Sequence, residues 1–418
     1  EDTEAPLLEQ AGFTAYLKSS LSVKEDGSYD FDSATPVVIG ANGETQLFTD
    51  AKGHLVTIPI PYGTYVVIET VTPHNMETIK PFEVHITENN PNQPQIWRVF
   101  IDREFTAKLR VIKMDADTGM TVLIPNTEFK IFNMDTNQYV EMITTYPSKE
   151  IHTSFFTDAD GDLILPDVLP LGNYRIEEVA APYGYVLNDN YVEVKVDTDT
   201  FYEVDPDTYE AIITVEYEDA PAVGQLVIEK KGETLDSYKG GLFADSEEKE
   251  FVYVEGSLAG AKFEVYAAED IYTADMQTDE NGNRNKYYSA GDLVTTVVTG
   301  EDGKATVSDL PLGKYRVVEV EAPYGYVLNA EEQFVTFVYV DDKTPVIQES
   351  LTFANDRQKL DLSVIKKDAE DETPIAGAVF GLYAYEDIVN AEGKVIVEAG
   401  TLLEVATSDA NGVIQFLK

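Results

Sequence analysis

The chain has 418 residues, 30 Lys+Arg against 76 Asp+Glu, no Cys and a formal net charge of −46. That acidity excludes a phosphate-gripping nucleic-acid binder and disfavours an anionic membrane. The missing cysteine excludes disulfides, thiolate metal sites and Cys nucleophiles. Apolar residues at 43% and aromatics at 11%, mostly Tyr and Phe, are more core material than a disordered acidic chain carries. The length suits about three domains. No apolar run approaches the roughly 18 residues of a transmembrane helix. With no starting Met and no leader, residue 1 reads as a cut inside a longer chain or a product of processing.

In chain order, one set of elements recurs. TDAKGHLVT (49–57) is an apolar pair of strands around a Gly turn, followed by IPYGTYVVIETVTP (60–73) and a closing VFIDR (99–103). The second round runs LRVIKMD (109–115), TDADGDLIL (157–165), LPLGNYRIEEVAAPYGYVLN (169–188) and EYEDA (216–220). The third runs LVIEKKG (226–232), TGEDGKATV (299–307), LPLGKYRVVEVEAPYGYVLN (310–329) and FANDR (353–357). A fourth opens with LSVIKKD (362–368) and reaches SDANGVIQF (408–416). The closing Asp or Asn precedes the next opening Lys by 11 positions each time: Asp102 to Lys113, Asp219 to Lys230, Asn355 to Lys366.

These periods divide the chain into segments 1–105, 106–222, 223–358 and 359–418. The first lacks its opening strand, and the last stops at its hairpin. The third carries polar insertions around 236–250 and 272–287. Val, Ile, Thr, Tyr and Phe fill short alternating runs, punctuated by Gly, Pro, Asn and Asp. The expected architecture is all-β, tandem antiparallel sandwiches. AAEDIYTAD (267–275) is at best one short helix. Trp97 is expected in a core.

Strand side chains alternate between faces. Leu109, Val111 and Lys113 therefore share one face, as do Leu226, Ile228 and Lys230, and Leu362, Val364 and Lys366. Val215, Tyr217 and Asp219 line up likewise, as do Leu351, Phe353 and Asn355. The repeated middle motif adds Tyr65, Val67 and Glu69; Tyr174, Ile176 and Glu178; Tyr315, Val317 and Glu319. Each full segment thus turns one Lys, one Glu and one Asp or Asn inward. Unpaired buried charge is costly. One solution is a buried ion-pair triad, which adds little net stability. The other is reaction: a desolvated, neutral Lys attacks the Asp or Asn carbonyl, a protonated Glu shuttles protons, and water or ammonia leaves.

The opening Val111-Ile112-Lys113-Met114-Asp115, the Glu-bearing motif YRIEEVAAPYGY (174–185) and the closing FAN (353–355) resemble the Cna-B and SpaA-like pilin domains of Gram-positive surface proteins. The resemblance covers essentially the whole chain. It implies prealbumin-like, inverse-Ig β-sandwiches. It also implies isopeptide bonds Lys113–Asp219, promoted by Glu178, and Lys230–Asn355, promoted by Glu319. Gly232 departs from the motif, where Asp is usual. The first segment has Glu69 and Asp102, but its Lys would fall before residue 1. The fourth has Lys366 but neither Glu nor acceptor.

The implied function is structural: a stalk or shaft segment of a cell-wall-anchored surface protein or pilus, extracellular, on a Gram-positive bacterium. It needs no cofactor or metal, and bond formation is a single event rather than enzymatic turnover. Partners would be other surface-protein or pilin subunits. The alternative is an adhesin module whose third-segment loops bind a host extracellular protein or glycan. The remaining motifs read as background. TDADGDLILPD (157–167) hints at a Ca²⁺ loop but lacks the Gly and Glu that pattern needs, so a solvated hairpin is the better reading. His54, His74, His85 and His152 fall at unmatched repeat positions. TYPSK (145–149) only faintly resembles a pilin motif.

Overall fold

The computed structural model describes residues 7–24, 26–87, 102–239 and 250–416. Trp97 lies outside these residues, as do most of the first closing element and the middle of the 236–250 insertion. Among the described residues the elements are strands, apart from one 3-10 turn at Lys18–Ser20. The short helix expected at 267–275 does not form. Ile271–Tyr272 is a strand paired with Lys286–Tyr288. Ile271, Thr273 and Asp275 are buried at every second position, a period that suits β-branched residues on a pleated surface and not a helix.

The chain falls into two compact units. The first comprises 1–114, 123–181 and 187–218. Its N-terminal sheet has the order Gln46–Phe48, Gly12–Leu17, Gly63–Val71, Phe82–Ile86. Two further sheets follow. One runs Phe155–Phe156, Glu128–Asn133, Gly172–Ala180, Val192–Val196; the other runs Asp162–Ile164, Thr106–Asp115, Ala211–Asp219, Glu203–Val204. Burial alternates without a break along Thr106–Asp115. Leu109, Val111, Ile213 and Tyr217 from one sheet join Phe129, Ile131, Tyr174 and Ile176 from the other in one core, as a sandwich requires. The 157–165 element is a tight Gly turn rather than the expected hairpin, because Phe155–Phe156 pairs with Glu128–Asn133 in one sheet while Asp162–Ile164 pairs with Thr106–Asp115 in the other. Asp158 Oδ1 accepts the Asp160 and Asp162 amides at 2.9 and 3.1 Å, Gly161 supplies the left-handed turn residue with φ +74°, and Arg110 pairs with Asp162.

The second unit comprises 115–122, 182–186 and 219–418. Val223–Lys239 pairs with Glu250–Ser257 and Lys304–Pro311 antiparallel, and with Val346–Asn355 in parallel. The first and last strands of the third segment thus lie side by side and run the same way. The facing sheet has the order Leu293–Val298, Lys262–Ala267, Gly313–Glu321, Gln333–Phe337. Between the layers pack Leu226, Ile228, Phe263, Val265, Val317 and Phe353. C-terminal to these, Leu362–Ile365 pairs with Val413–Phe416, and Val379–Tyr383 with Leu402–Thr407.

The repeated motif Tyr has one role in all three copies. The hydroxyls of Tyr65, Tyr174 and Tyr315 donate to the carbonyls of Pro61, Pro170 and Pro311 at 2.8, 2.9 and 2.6 Å. Each ring fills a core while its polar tip is satisfied four residues back. That bond fixes the start of the strand that carries the Glu.

Candidate functional site

The third segment assembles a closed triangle from three distant strands. Lys230 Nζ donates to Asn355 Oδ1 at 2.6 Å and lies 3.1 Å from Glu319 Oε2. Asn355 Nδ2 donates to Glu319 Oε1 at 2.8 Å. Lys230, Glu319 and Asn355 are 1%, 1% and 4% exposed. Phe263 and Phe353, whose ring centroids are 4.8 Å apart, stand 5.6 and 5.9 Å from the amine. This dry setting depresses the Lys230 pKa, against the opposing pull of Glu319. Desolvation penalises the ammonium form, so the neutral, nucleophilic amine becomes accessible.

Register explains how the triangle forms. Lys230 is opposite Phe353, and Gly232 opposite Asn355, along the parallel pair. All four face inward, so a flexible four-carbon chain reaches two positions along to meet the amide. Gly232, the departure from the usual motif, has a steric reason. A Cβ there would lie 2.8 Å from the Asn355 carbonyl oxygen and 2.7 Å from Leu258 Cδ1. Its counterpart Asp115 accepts the Tyr185 hydroxyl at 2.6 Å. Lacking that carboxylate, the equivalent Tyr326 donates to the Glu233 carbonyl at 2.8 Å.

The second segment carries the same framework. Lys113 Nζ lies 2.9 Å from Glu178 Oε1, both side chains fully buried. Tyr217 and Phe129 enclose the amine, 4.6 and 5.8 Å to their ring centres. The strand of Lys113 neighbours Ala211–Asp219, which ends on Asp219, 1% exposed.

The end segments differ. Glu69 is 7% exposed and accepts the Ile79 amide at 2.9 Å. Burial, reinforced by Asp102, raises its pKa, and burial raises that of Asp102 too. Lys366 is exposed, just beyond Leu362–Ile365. That strand pairs only with Val413–Phe416 among the described residues, and the sequence holds no later copy of the Glu motif to face it.

Two residues escaped the sequence reading. The backbone amides of Asn188 and Asn329 donate to Oε2 of Glu178 and Glu319 at 3.1 and 3.2 Å. Their side-chain Nδ2 atoms donate to the carbonyls of Glu218 and Ala354 at 2.8 and 3.2 Å. Those carbonyls immediately precede Asp219 and Asn355, so each Asn ties the Glu to the acceptor strand. The signal was present in the shared GYVLN ending, ten positions after each Glu.

No group of three His, Cys, Asp or Glu residues is placed to hold a metal ion among the described residues. His74, His85 and His152 contact Asp199, Thr64 and Thr144 respectively, in three separate places.

The model of the family described as "SpaA: Prealbumin-like fold domain" matches residues 2–96, 107–209 and 253–350. The chain belongs to this family. SpaA-type prealbumin-like domains are a structural pilin and surface-protein fold, and the tandem all-β architecture described above is theirs. Among curated proteins, a trypsin-resistant surface T6 protein of Streptococcus pyogenes serotype M6 is 33% identical over 75 residues, 18% of this chain and 14% of that protein. Among solved structures, the Bacillus anthracis TIE protein is 19% identical, covering 97% of this chain and 61% of its own, with a TM-score of 0.43. GBS52, the minor pilin of Streptococcus agalactiae, is 16% identical over 61% of this chain and 97% of its own, with a TM-score of 0.21. The chain thus spans less than two thirds of both the curated relative and the Bacillus anthracis protein.

Proposed function

We propose that this chain is a structural stalk or shaft segment of a cell-wall-anchored surface protein or pilus on a Gram-positive bacterium. Its segments 106–222 and 223–358 are sandwiches tied by Lys113–Asp219 and Lys230–Asn355 isopeptide bonds. The observation that carries this reading is the Lys230–Glu319–Asn355 triangle, in which each pair is within 3.1 Å. A neutral Lys230 amine attacks Cγ of Asn355, and protonated Glu319 gives its proton to the amide oxygen. Glu319 then takes the proton lost by the amine and passes it to the leaving nitrogen. Ammonia departs, the tetrahedral hydroxyl returns its proton to Glu319 as the carbonyl re-forms, and an Nζ–Cγ amide remains. At Lys113 and Asp219, with Glu178 in the same role, water departs.

Burial performs two tasks here. It favours the neutral Lys230 amine, and it holds the groups within reaction distance, replacing a bimolecular encounter. The bond between first and last strands offers force a covalent path that bypasses the rest of the sandwich. The closed loops span 106 and 125 positions, and by analogy with disulfides each bond adds about 2–5 kcal/mol. In segments 1–105 and 359–418, Glu69, Asp102 and Lys366 lack a full set within this sequence. Each bond forms once, so the chain is not a turnover enzyme. Its partners are neighbouring surface-protein or pilin subunits, and its acidity keeps an exposed stalk solvated.

Intact-mass measurement of the purified protein tests this. A deficit of one water plus one ammonia is expected. The full calculated mass would leave the Lys, Glu and Asx side chains as ordinary buried polar pairs and end the proposal.

A further inference from the structure

The third segment alone carries insertions, and both of them contact neighbouring segments. The 272–287 insertion meets loops of the second segment. Asp275 is fully buried. Its Oδ1 accepts from the Thr273 hydroxyl at 2.6 Å and the Gln277 amide at 3.0 Å, both inside the insertion. Its Oδ2 accepts from the Thr118 hydroxyl at 2.8 Å, across the joint. Gln277 Nε2 donates to the Thr121 carbonyl at 2.8 Å. A buried carboxylate needs several donors, and this one draws one of its three from the preceding segment. Tyr183 packs against Tyr339 with the rings tilted at 60° and their centroids 4.7 Å apart, and the Tyr339 hydroxyl donates to the Tyr185 carbonyl at 3.0 Å.

The other insertion prolongs the strand Val223–Lys239 past the sandwich and folds it back as Glu250–Ser257, paired from Lys231↔Ser257 to Lys239↔Glu250 with a register shift between Leu235 and Ser237. A two-stranded ribbon is marginal alone. Here Tyr238 and Phe251, 4.8 Å between centroids, pack on Ala384, Val397 and Leu403 of the fourth segment. The Tyr238 hydroxyl donates to the Leu403 carbonyl at 3.3 Å.

A simpler joint in the first unit sets the contrast. There Asn75 and Thr198 occupy the positions equivalent to Gly184 and Tyr339. The Asn75 amide donates to Thr198 Oγ1 at 3.1 Å, and the exposed His74 and Asp199 stand 3.2 Å apart. Among the described residues, no insertion reinforces that contact.

We propose that the two insertions of the third segment are braces: 272–287 holds the loops of the preceding segment, and the ribbon rooted at 232–257 holds the apolar face of the following one. The third segment thereby stiffens the chain at two joints, and these described insertion residues serve the chain itself rather than a host ligand. This deepens the stalk reading and rests on it for its purpose, but not for its contacts.

Distance distributions between spin labels test the inference, because the chain has no native Cys. Met120→Cys with Leu293→Cys reports the first brace, and Leu293→Cys with Val405→Cys the second. In the full chain both distributions should be narrow. Asp275→Ala with Gln277→Ala should at least double the width of the first and leave the second unchanged. Tyr238→Ser with Phe251→Ser should do the reverse. Gln277→Ala alone, which leaves the buried carboxylate in place, should widen the first distribution measurably even if the double variant misfolds. Unchanged widths in all variants would overturn the braces. Intact masses of the same samples separate the two ideas. Crosslink deficits with unchanged widths defeat the braces alone, and widened distributions without deficits defeat the crosslinks alone.

Discussion

Lys230 and Asn355 are 125 positions apart in sequence, yet the amine of one donates to the side-chain oxygen of the other at 2.6 Å in a site closed to solvent. Parallel pairing of the first and last strands makes this possible. Both side chains point inward, and Glu319 of the facing sheet spans them. The expected behaviour of the chain follows from that contact and its counterpart at Lys113.

Removing each Glu should restore one leaving group. Glu178→Ala should regain the water and Glu319→Ala the ammonia, each without affecting the other segment, by intact mass. Asn355→Asp should exchange the missing ammonia for a second missing water. Loss of both deficits from a single Glu substitution would contradict two independent centres.

Lys230→Ala leaves Glu319 and Asn355 buried without their partner and removes a crosslink worth about 2–5 kcal/mol by analogy with disulfides. Denaturant unfolding should show the third segment losing at least that much, with the second segment's transition unmoved.

Asn188→Ala and Asn329→Ala remove the tether between each Glu and its acceptor strand. The Glu keeps its backbone donor, so only alignment changes. Small misplacements can cost about 10²-fold in rate, and a slowing of about ten-fold or more is expected in refolded protein, confined to the altered segment. An unaltered rate would reduce both residues to packing.

The reaction should be pH-dependent. Burial holds the Lys230 amine below its ordinary value of about 10.4. Acid protonates the amine and removes the nucleophile, so the rate should rise with pH and level off before that ordinary value. A rate still climbing through it would mean the amine is not desolvated when it reacts.

Glu69 offers a stability test. Burial raises its folded pKa above the unfolded value, so the folded state holds the proton more tightly. Its contribution is full below the unfolded pKa and is lost as pH rises through the folded one. Glu69→Gln mimics the protonated form. It should raise the melting temperature of the first segment by a few degrees near neutrality and leave it unchanged in acid.

Much of this was legible in the residues. Alternation placed Lys113, Lys230, Glu178, Glu319, Asp219 and Asn355 in the apolar phase, and each is buried. Lys366 shared that pattern yet is exposed, because a phase only says which residues share a face, not that another layer covers it. The segment 267–275 misled in the opposite sense. Its Ala and Glu suggest a helix, but pairing with Lys286–Tyr288 decided for a strand. Asn188 and Asn329 passed unnoticed, since a hydrogen bond to a carbonyl 25 or more positions away leaves no local trace.

The sequence by itself determined the β architecture, the repeat and the inward direction of six polar side chains, because strand geometry converts every second residue into a shared face. Only the tertiary structure decided that Gly232 makes room for the Asn355 backbone, that one Asn joins each Glu to its acceptor strand, and that the insertions turn toward neighbouring segments. Those outcomes depend on which distant strands come to lie side by side. That choice is made by packing across the whole chain and is written in no short stretch of it.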